Sequence, residues 1–154
     1  MRKTIRNTMV SLAALTGVAL APSTALAATS YCLPPSSASQ TAIQAANSTA
    51  AAIDGFTTVS LSSLAAFSAP VSGSGLGFLG DTVTAQSGFK YIVVGVGVDL
   101  FRGRSCGTIS ILLTSQGRAY LKGIKKGQTA SFSVTTVFLG AGIGIAQRSA
   151  TEAY

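Results

Sequence analysis

The sequence has no histidine and no tryptophan, and only two cysteines and four acidic residues among 154 positions. The absence of histidine excludes a Ser-His-Asp triad, a Cys-His pair and every zinc site that uses an imidazole. Two thiols without C-x-x-C spacing are too few to hold a metal. The four acids are Asp54, Asp81, Asp99 and Glu152. Asp54 reads as a helix end and Glu152 as part of a tail. Nothing in the spacing brings Asp81 and Asp99 to the separation of about 5 Å, or ~6.5–9.5 Å, that glycoside hydrolysis requires. Serine and threonine abound, but a hydroxyl nucleophile needs an activating base. The Gly/Ser stretch 71–77 has no Lys-Ser/Thr after it, so it is not a phosphate loop. The expectation is a protein without catalytic residues, metal or cofactor.

What the chain does have is an export pattern. Arg2, Lys3 and Arg6 precede a mostly apolar run from Val10 to Leu20, followed by Pro22 and Ala25-Leu26-Ala27. A basic start, a short apolar stretch and small residues at −3 and −1 form a secretory signal. The run is shorter than the ~20 residues that span a bilayer. Thr29-Ser30-Tyr31 before Cys32 lacks the residues of a lipoprotein cleavage box. Residues 1–27 are therefore read as a cleaved signal, and the destination as secreted or periplasmic. The whole chain carries a formal charge of +7. After cleavage 127 residues remain, with eight basic and four acidic side chains, so the charge falls to +4. That is too modest, in an exported chain, for a nucleic-acid reader. In an oxidising compartment Cys32 and Cys106 would pair as a structural disulfide; a reactive thiol is the alternative.

Along the exported part, 28–35 reads as an extended arm because Pro34-Pro35 opposes helix, and 36–154 as a single domain. Ser37 and Gln40 have capping-box spacing. Ile43, Ala46, Ala50 and Ile53 form a narrow apolar stripe, and Asp54-Gly55 is a stop with a left-handed glycine. The spacing predicts a helix from Ser39 to Ile53. Asn47-Ser48-Thr49 matches a glycosylation acceptor but falls inside that helix. Phe56, Phe67, Phe78 and Phe89 recur every 11 residues, which suits short antiparallel strands with turns between them. One helical turn around Leu61, Leu64 and Ala65 is the competing reading.

The second half is strand-rich. In Lys90–Phe101 strict alternation puts Ile92, Val94, Val96, Val98 and Leu100 on one face, and Tyr91, Val93, Gly95, Gly97 and Asp99 on the other. Thr108–Thr114 is a second strand. Ser131–Ala146 is a third, long segment, broken near Thr135-Thr136. Gly95, Gly97, Gly140, Gly142 and Gly144 would leave a face bare of side chains if the segments near Val94 and Ile143 lay side by side. Such a face would take a flat ligand, or would reflect sheet curvature and a closely packed Ala-rich helix. Ser115 can cap a short helix in which Tyr120, Leu121 and Ile124 face the core. Arg118, Lys122, Lys125 and Lys126 then gather on an exposed face that suits lipid headgroups or an anionic cell-surface polymer; plain solvation is the alternative.

From Gly107 to Gly144 the order strand, short helix, Gly-rich strand resembles the later part of SYLF lipid-binding domains. The residues concerned are Thr108-Ile-Ser-Ile-Leu-Leu113, Arg118-Ala-Tyr-Leu121 and Leu139-Gly-Ala-Gly-Ile-Gly144. The resemblance covers about a quarter of the chain, and Ser149–Tyr154 stops where that family continues into further strands. It implies a lipid partner. The fold expected is α+β: an N-terminal helix on a twisted antiparallel sheet or small barrel, with a mostly-β sandwich as the alternative. The expected function is a non-catalytic binding module for an apolar or amphiphilic ligand or an anionic membrane surface. The alternative is a structural or surface-assembly subunit, a homo-oligomer joined through its β-strands. A small secreted enzyme is the weakest reading.

Overall fold

The computed structural model describes residues 35–73, 76–102 and 106–153. The expected signal 1–27, the arm up to Pro34, Cys32 and most of the turn at Arg102-Gly-Arg104 lie outside the described residues. The elements are α1 (Ala38–Asp54), α2 (Thr58–Ser63), β1 (Ala66–Ser72), β2 (Leu76–Ser87), β3 (Lys90–Arg102), β4 (Cys106–Leu113), α3 (Ser115–Lys122), β5 (Thr129–Leu139) and β6 (Ile143–Ala153). The six strands form one antiparallel sheet in the order β1-β4-β3-β2-β5-β6. α1 touches β1 at one edge and β5 and β6 at the other, so the sheet curls around it as a half-barrel. This is the α+β arrangement expected, with the curl left open rather than closed.

α1 begins where Gln40 N–H donates to the Ser37 hydroxyl at 3.2 Å. The Gln40 side chain bonds back to the Ser36 N–H at 3.1 Å, one residue earlier than a standard box. Thr41, Ala42, Ala45, Ala46, Thr49, Ala50 and Ile53 are buried, while Ile43 faces outward. Ala46, Ala50 and Ile53 of the expected stripe are thus buried and Ile43 is not: the Ala/Thr row is wider than the stripe, and its small side chains let the helix axis come close to the sheet. Closeness is decisive at β6, where a Cβ on Gly144 would overlap the Ala38 carbonyl. Gly55 ends the helix with φ −78°, in the right-handed region, not the left-handed one expected. Its N–H closes the last turn on Ala51 O at 3.1 Å.

The 11-residue Phe spacing is not a structural repeat. Phe56 and Phe67 stack edge to face at 6.1 Å, Phe78 is on the outer side of β2, and Phe89 is fully exposed at the tip of the β2–β3 hairpin. Residues 58–63 take the helical alternative, with Leu61 buried. The long third segment breaks at Gly140–Gly142, not at Thr135-Thr136. It becomes the β5–β6 hairpin, closed by Gly140 N–H on Gly142 O at 2.9 Å.

The largest departure from simple alternation is in β3. Val83 pairs with Gly95 and Thr84 with Val93, leaving Val94 as an extra residue. A β-bulge of this kind re-aims every side chain beyond it. Ile92 and Val94 face inward as expected, but past the bulge Gly95, Gly97 and Phe101 are buried and Val96, Val98 and Leu100 face outward. The Val94 carbonyl, freed from the ladder, accepts from Thr114 N–H at 2.8 Å and anchors the start of α3. Thr114 caps that helix, its hydroxyl accepting from Gly117 N–H at 2.9 Å. Thr114, not Ser115, is therefore the cap. In α3 Leu121 is buried, while Tyr120 and Ile124 are half-buried against the core.

Replacing Gly144 by Ala should cost about 3 kcal/mol or more in chemical denaturation, because overpacking against helix backbone has no side chain to yield. Replacing Gly142, where a Cβ would meet the Ala38 Cβ at an ordinary 3.5 Å, should change stability by only about 0.5 kcal/mol. Equal effects would contradict the close docking of α1 on β6.

Candidate functional site

The inversion at Val94 builds an apolar surface on the convex side of the sheet. Cross-strand partners define it row by row. Leu100, Phe78, Leu139 and Ile143 lie directly opposite one another across β3, β2, β5 and β6. In the next row stand Val98, Gly80, Val137 and Ile145. Val96 and Leu112 extend it toward β4. Direct partners sit ~4.5–5.5 Å apart, so the rows are in contact. Val98, Ile145 and Ile143 are 67, 67 and 70% exposed, and Leu112 is 59% exposed. No charged residue interrupts the rows; Arg102, opposite Leu76, stands at their end. A small cleft lined by Val96, Gly97, Val98, Ser110 and Leu112 notches the face between β3 and β4.

The sheet edges are less inviting. β1 carries Pro70, which cannot donate to an added strand. β6 turns Arg148 toward α1, where its Nε donates to Asn47 Oδ1 at 2.6 Å. Pro and inward charge are both devices that discourage edge pairing. Asn47, the expected glycosylation acceptor, lies within α1.

The five glycines expected to form one bare floor are divided. β3 and β6 are separated by β2 and β5, so the segments near Val94 and Ile143 are not side by side. Gly95 and Gly97 face inward and are covered: a Cβ on Gly97 would lie 2.6 Å from Ile111 Cδ1 and 2.7 Å from the Ser110 carbonyl. Gly140 and Gly142 belong to the β5–β6 turn, and Gly144 lies under the first turn of α1. The glycines serve curvature and close helix packing, the second of the two readings above. Among the basic residues, Arg118 is half-buried on α3, Lys122 is exposed at its last turn, and Lys125 and Lys126 fall in the following turn rather than on one helical face. Cys106, at the start of β4, is half-buried, and its expected partner Cys32 lies outside the described residues.

The carboxylates offer no open reaction centre. Asp81, on the inner face of β2, is 1% exposed. Its oxygens accept from Thr49 of α1 and Thr136 of β5, each at 2.5 Å. Asp99 lies on the same inner face, diagonal to Asp81 in the register, and its Oδ1 accepts from Leu100 N–H at 2.9 Å. Sequence spacing did not reveal that neighbourhood, because it arises from the β2–β3 hairpin together with the bulge. Ser87 and Lys90 have Ser-x-x-Lys spacing but pair across a two-residue turn. Both are exposed at the hairpin tip. Among the described residues no group of three or more metal-ligating side chains occurs, and no helix is long and apolar enough to cross a membrane.

No protein-family model and no curated protein matches the chain, so the SYLF resemblance finds no support there. Among the solved structures that show partial likeness are two that contain a chaperone. One is the periplasmic chaperone SfaE, with a TM-score of 0.43 and 12% identity over 59% of this chain and 49% of that one. The other is the CsuC–CsuE chaperone–tip adhesion subunit pre-assembly complex from archaic chaperone-usher Csu pili of Acinetobacter baumannii. It has a TM-score of 0.40 and 10% identity over 59% of this chain and 45% of that one. The chain spans about half the length of the solved chains it matches. Likeness at this level carries no argument about function.

Burial raises Asp81 above the ordinary carboxylate range, against the opposing pull of its hydrogen bonds from Thr136 and Thr49. Burial, and then the charge of Asp54, raise Glu152. A raised carboxylate binds its proton more tightly when folded, so stability is highest at low pH and falls as pH climbs from about 4 through the folded values. Thermal melts should therefore give a higher Tm near pH 5 than near pH 7.5, and Asp81→Asn should flatten that slope. A Tm that rises over the same interval would contradict the assignment.

Proposed function

We propose that the chain is a secreted or periplasmic, non-catalytic assembly module that joins to a second copy of itself through the convex apolar face. The observation that carries this reading is the charge-free set of exposed Val, Leu, Ile and Phe side chains across four strands. Leu76, Val98, Leu100, Ile143 and Ile145 are each more than half exposed there, and a contiguous exposed apolar patch marks an interaction site. A face without charge meets its own copy without like-charge repulsion, and two twisted sheets stack naturally ~10 Å apart. Pro70 and Arg148 favour stacking of faces over pairing of edges. A lipid or anionic-polymer partner has less behind it, because Lys125 and Lys126 leave the helix face that would have read it.

Size-exclusion chromatography with light scattering on the protein lacking residues 1–27 should show a concentration-dependent dimer. Val98→Lys or Ile145→Lys should give a monomer with an unchanged Tm, since both positions are exposed. A wild-type monomer up to about 100 μM would overturn the reading, as would liposome binding by wild type that these variants abolish.

The export reading adds a covalent expectation. Mature protein recovered from the cell exterior should begin at Ala28 and be two hydrogens lighter than its reduced form, through a Cys32–Cys106 bridge. Intact-mass measurement before and after reduction checks both, and unchanged mass on reduction would leave two free thiols instead.

A further inference from the structure

At the end of the molecule away from the apolar rows, the surface changes character. A cleft of about 990 Å³ lies between the β2–β3 hairpin, α3 and the start of β5. Tyr91 and Tyr120 come to it from two different elements, and Gln116, Gln128, Thr129, Ser87 and Lys90 complete its polar lining. α3 turns Gln116, Ala119, Tyr120 and Gly123 toward it, an i, i+3, i+4, i+7 row that is neither the buried side of the helix nor its basic side. Tyr91, 77% exposed, also borders a second cavity of about 180 Å³ on the sheet itself, where Thr84, Ser131, Ser133 and Ser149 supply hydroxyls. Tyr91 is thus shared by the two hollows, and the larger one is the trough. Phe89, fully exposed, sits between the lining residues Ser87 and Lys90. Gly88 takes φ +63° in that turn, fixing the hairpin that carries these side chains.

We propose that this trough binds a linear neutral oligosaccharide. The lining combines one exposed aromatic, Tyr91, and the half-buried Tyr120 with amides and hydroxyls, contains no carboxylate, and has Lys90 as its one cation. A pyranose ring presents an apolar C–H face to an aromatic side chain and a rim of hydroxyls to donors and acceptors; Tyr and Gln or Ser side chains match both. Phosphate-bearing ligands require several cations. A lipid tail would leave the amides and hydroxyls unpaired. An extended peptide is recognised chiefly by backbone bonding to a strand edge, whereas these walls come from sheet-face, helix and turn side chains. A cleft of about 990 Å³ has room for several sugars in a row.

The test uses Val98→Lys protein lacking residues 1–27, so that self-association through the convex face does not enter and the two readings stand or fall separately. Cellohexaose, chitohexaose and xylohexaose are titrated separately, with amide NMR shifts as the readout. At least one should bind saturably, with shifts confined to the hairpin tip, α3 and the start of β5, and more tightly than its own disaccharide. Tyr91→Ala and Gln116→Ala, both exposed positions, should each weaken it about tenfold while the remaining spectrum is preserved. The proposal is overturned if none of the three hexasaccharides shifts these amides, or if binding survives both substitutions. It is equally overturned if a serine-rich decapeptide saturates the trough and no hexasaccharide does.

Discussion

One inserted residue decides what this protein shows to water. Val94 is the extra residue where β3 slips against β2, and everything C-terminal to it in the strand is turned over. Without the slip, Val96, Val98 and Leu100 would fill the half-barrel, and Gly95 and Gly97 would form an open outer strip. With it, the glycines face inward, where β4 crosses so closely that Ile111 and the Ser110 carbonyl occupy the space of a side chain. The apolar side chains are left outside. The same bulge frees the carbonyl that starts α3, so sheet curvature, helix placement and the convex apolar face share one cause.

The interior solves a different problem, how to close a curled sheet over a helix with little bulk. α1 presents mostly Ala and Thr, which contribute little apolar area each but permit near contact with β6 at Gly144. Burial per residue is modest, so larger side chains from the sheet, among them Phe101, Phe132, Ile109 and Ile111, provide most of the buried volume. Asp81 ties helix, β2 and β5 together through two threonine hydroxyls. A buried carboxylate with both oxygens bonded is a stitch that also makes the fold prefer mildly acidic conditions.

Much of the framework was legible in the sequence. The helix after Ser37, the strands at Lys90 and Thr108 and the short helix near Ser115 follow from capping chemistry and periodicity, which are local. Three features were not legible, each for a physical reason. Ile43 is the one member of the expected stripe that faces outward, while Ala46, Ala50 and Ile53 are buried as expected; the buried row is wider than the stripe because Thr41, Ala42, Ala45 and Thr49 join it, and small or hydroxyl side chains carry too weak a hydrophobic signal to show that. The break at Gly140–Gly142 is a hairpin, and the Ala and Ile around it read as continuous strand because no Asn-Gly or Pro marks the turn. The bulge at Val94 leaves no local signature at all, since Val-Val-Gly-Val-Gly-Val alternates equally well in either register. Only pairing with β2 and β4 selects one. The convex apolar face was missed on that account, because it depends on which way β3 faces beyond Val94; the cleft at Tyr91 was missed because α3 and the start of β5, far apart in sequence from the β2–β3 hairpin, supply its other walls.

The most direct measurement of that orientation is thiol labelling in a Cys32→Ser, Cys106→Ser background, with single cysteines placed at Val94 and Val98. The account predicts that native, dilute protein labels rapidly at position 98 and only on unfolding at position 94, and that concentrating the protein slows labelling at 98 alone. Equal behaviour at the two positions in dilute protein, both protected or both rapidly labelled, would show that β3 runs on without the slip at Val94, and would contradict the account at its root.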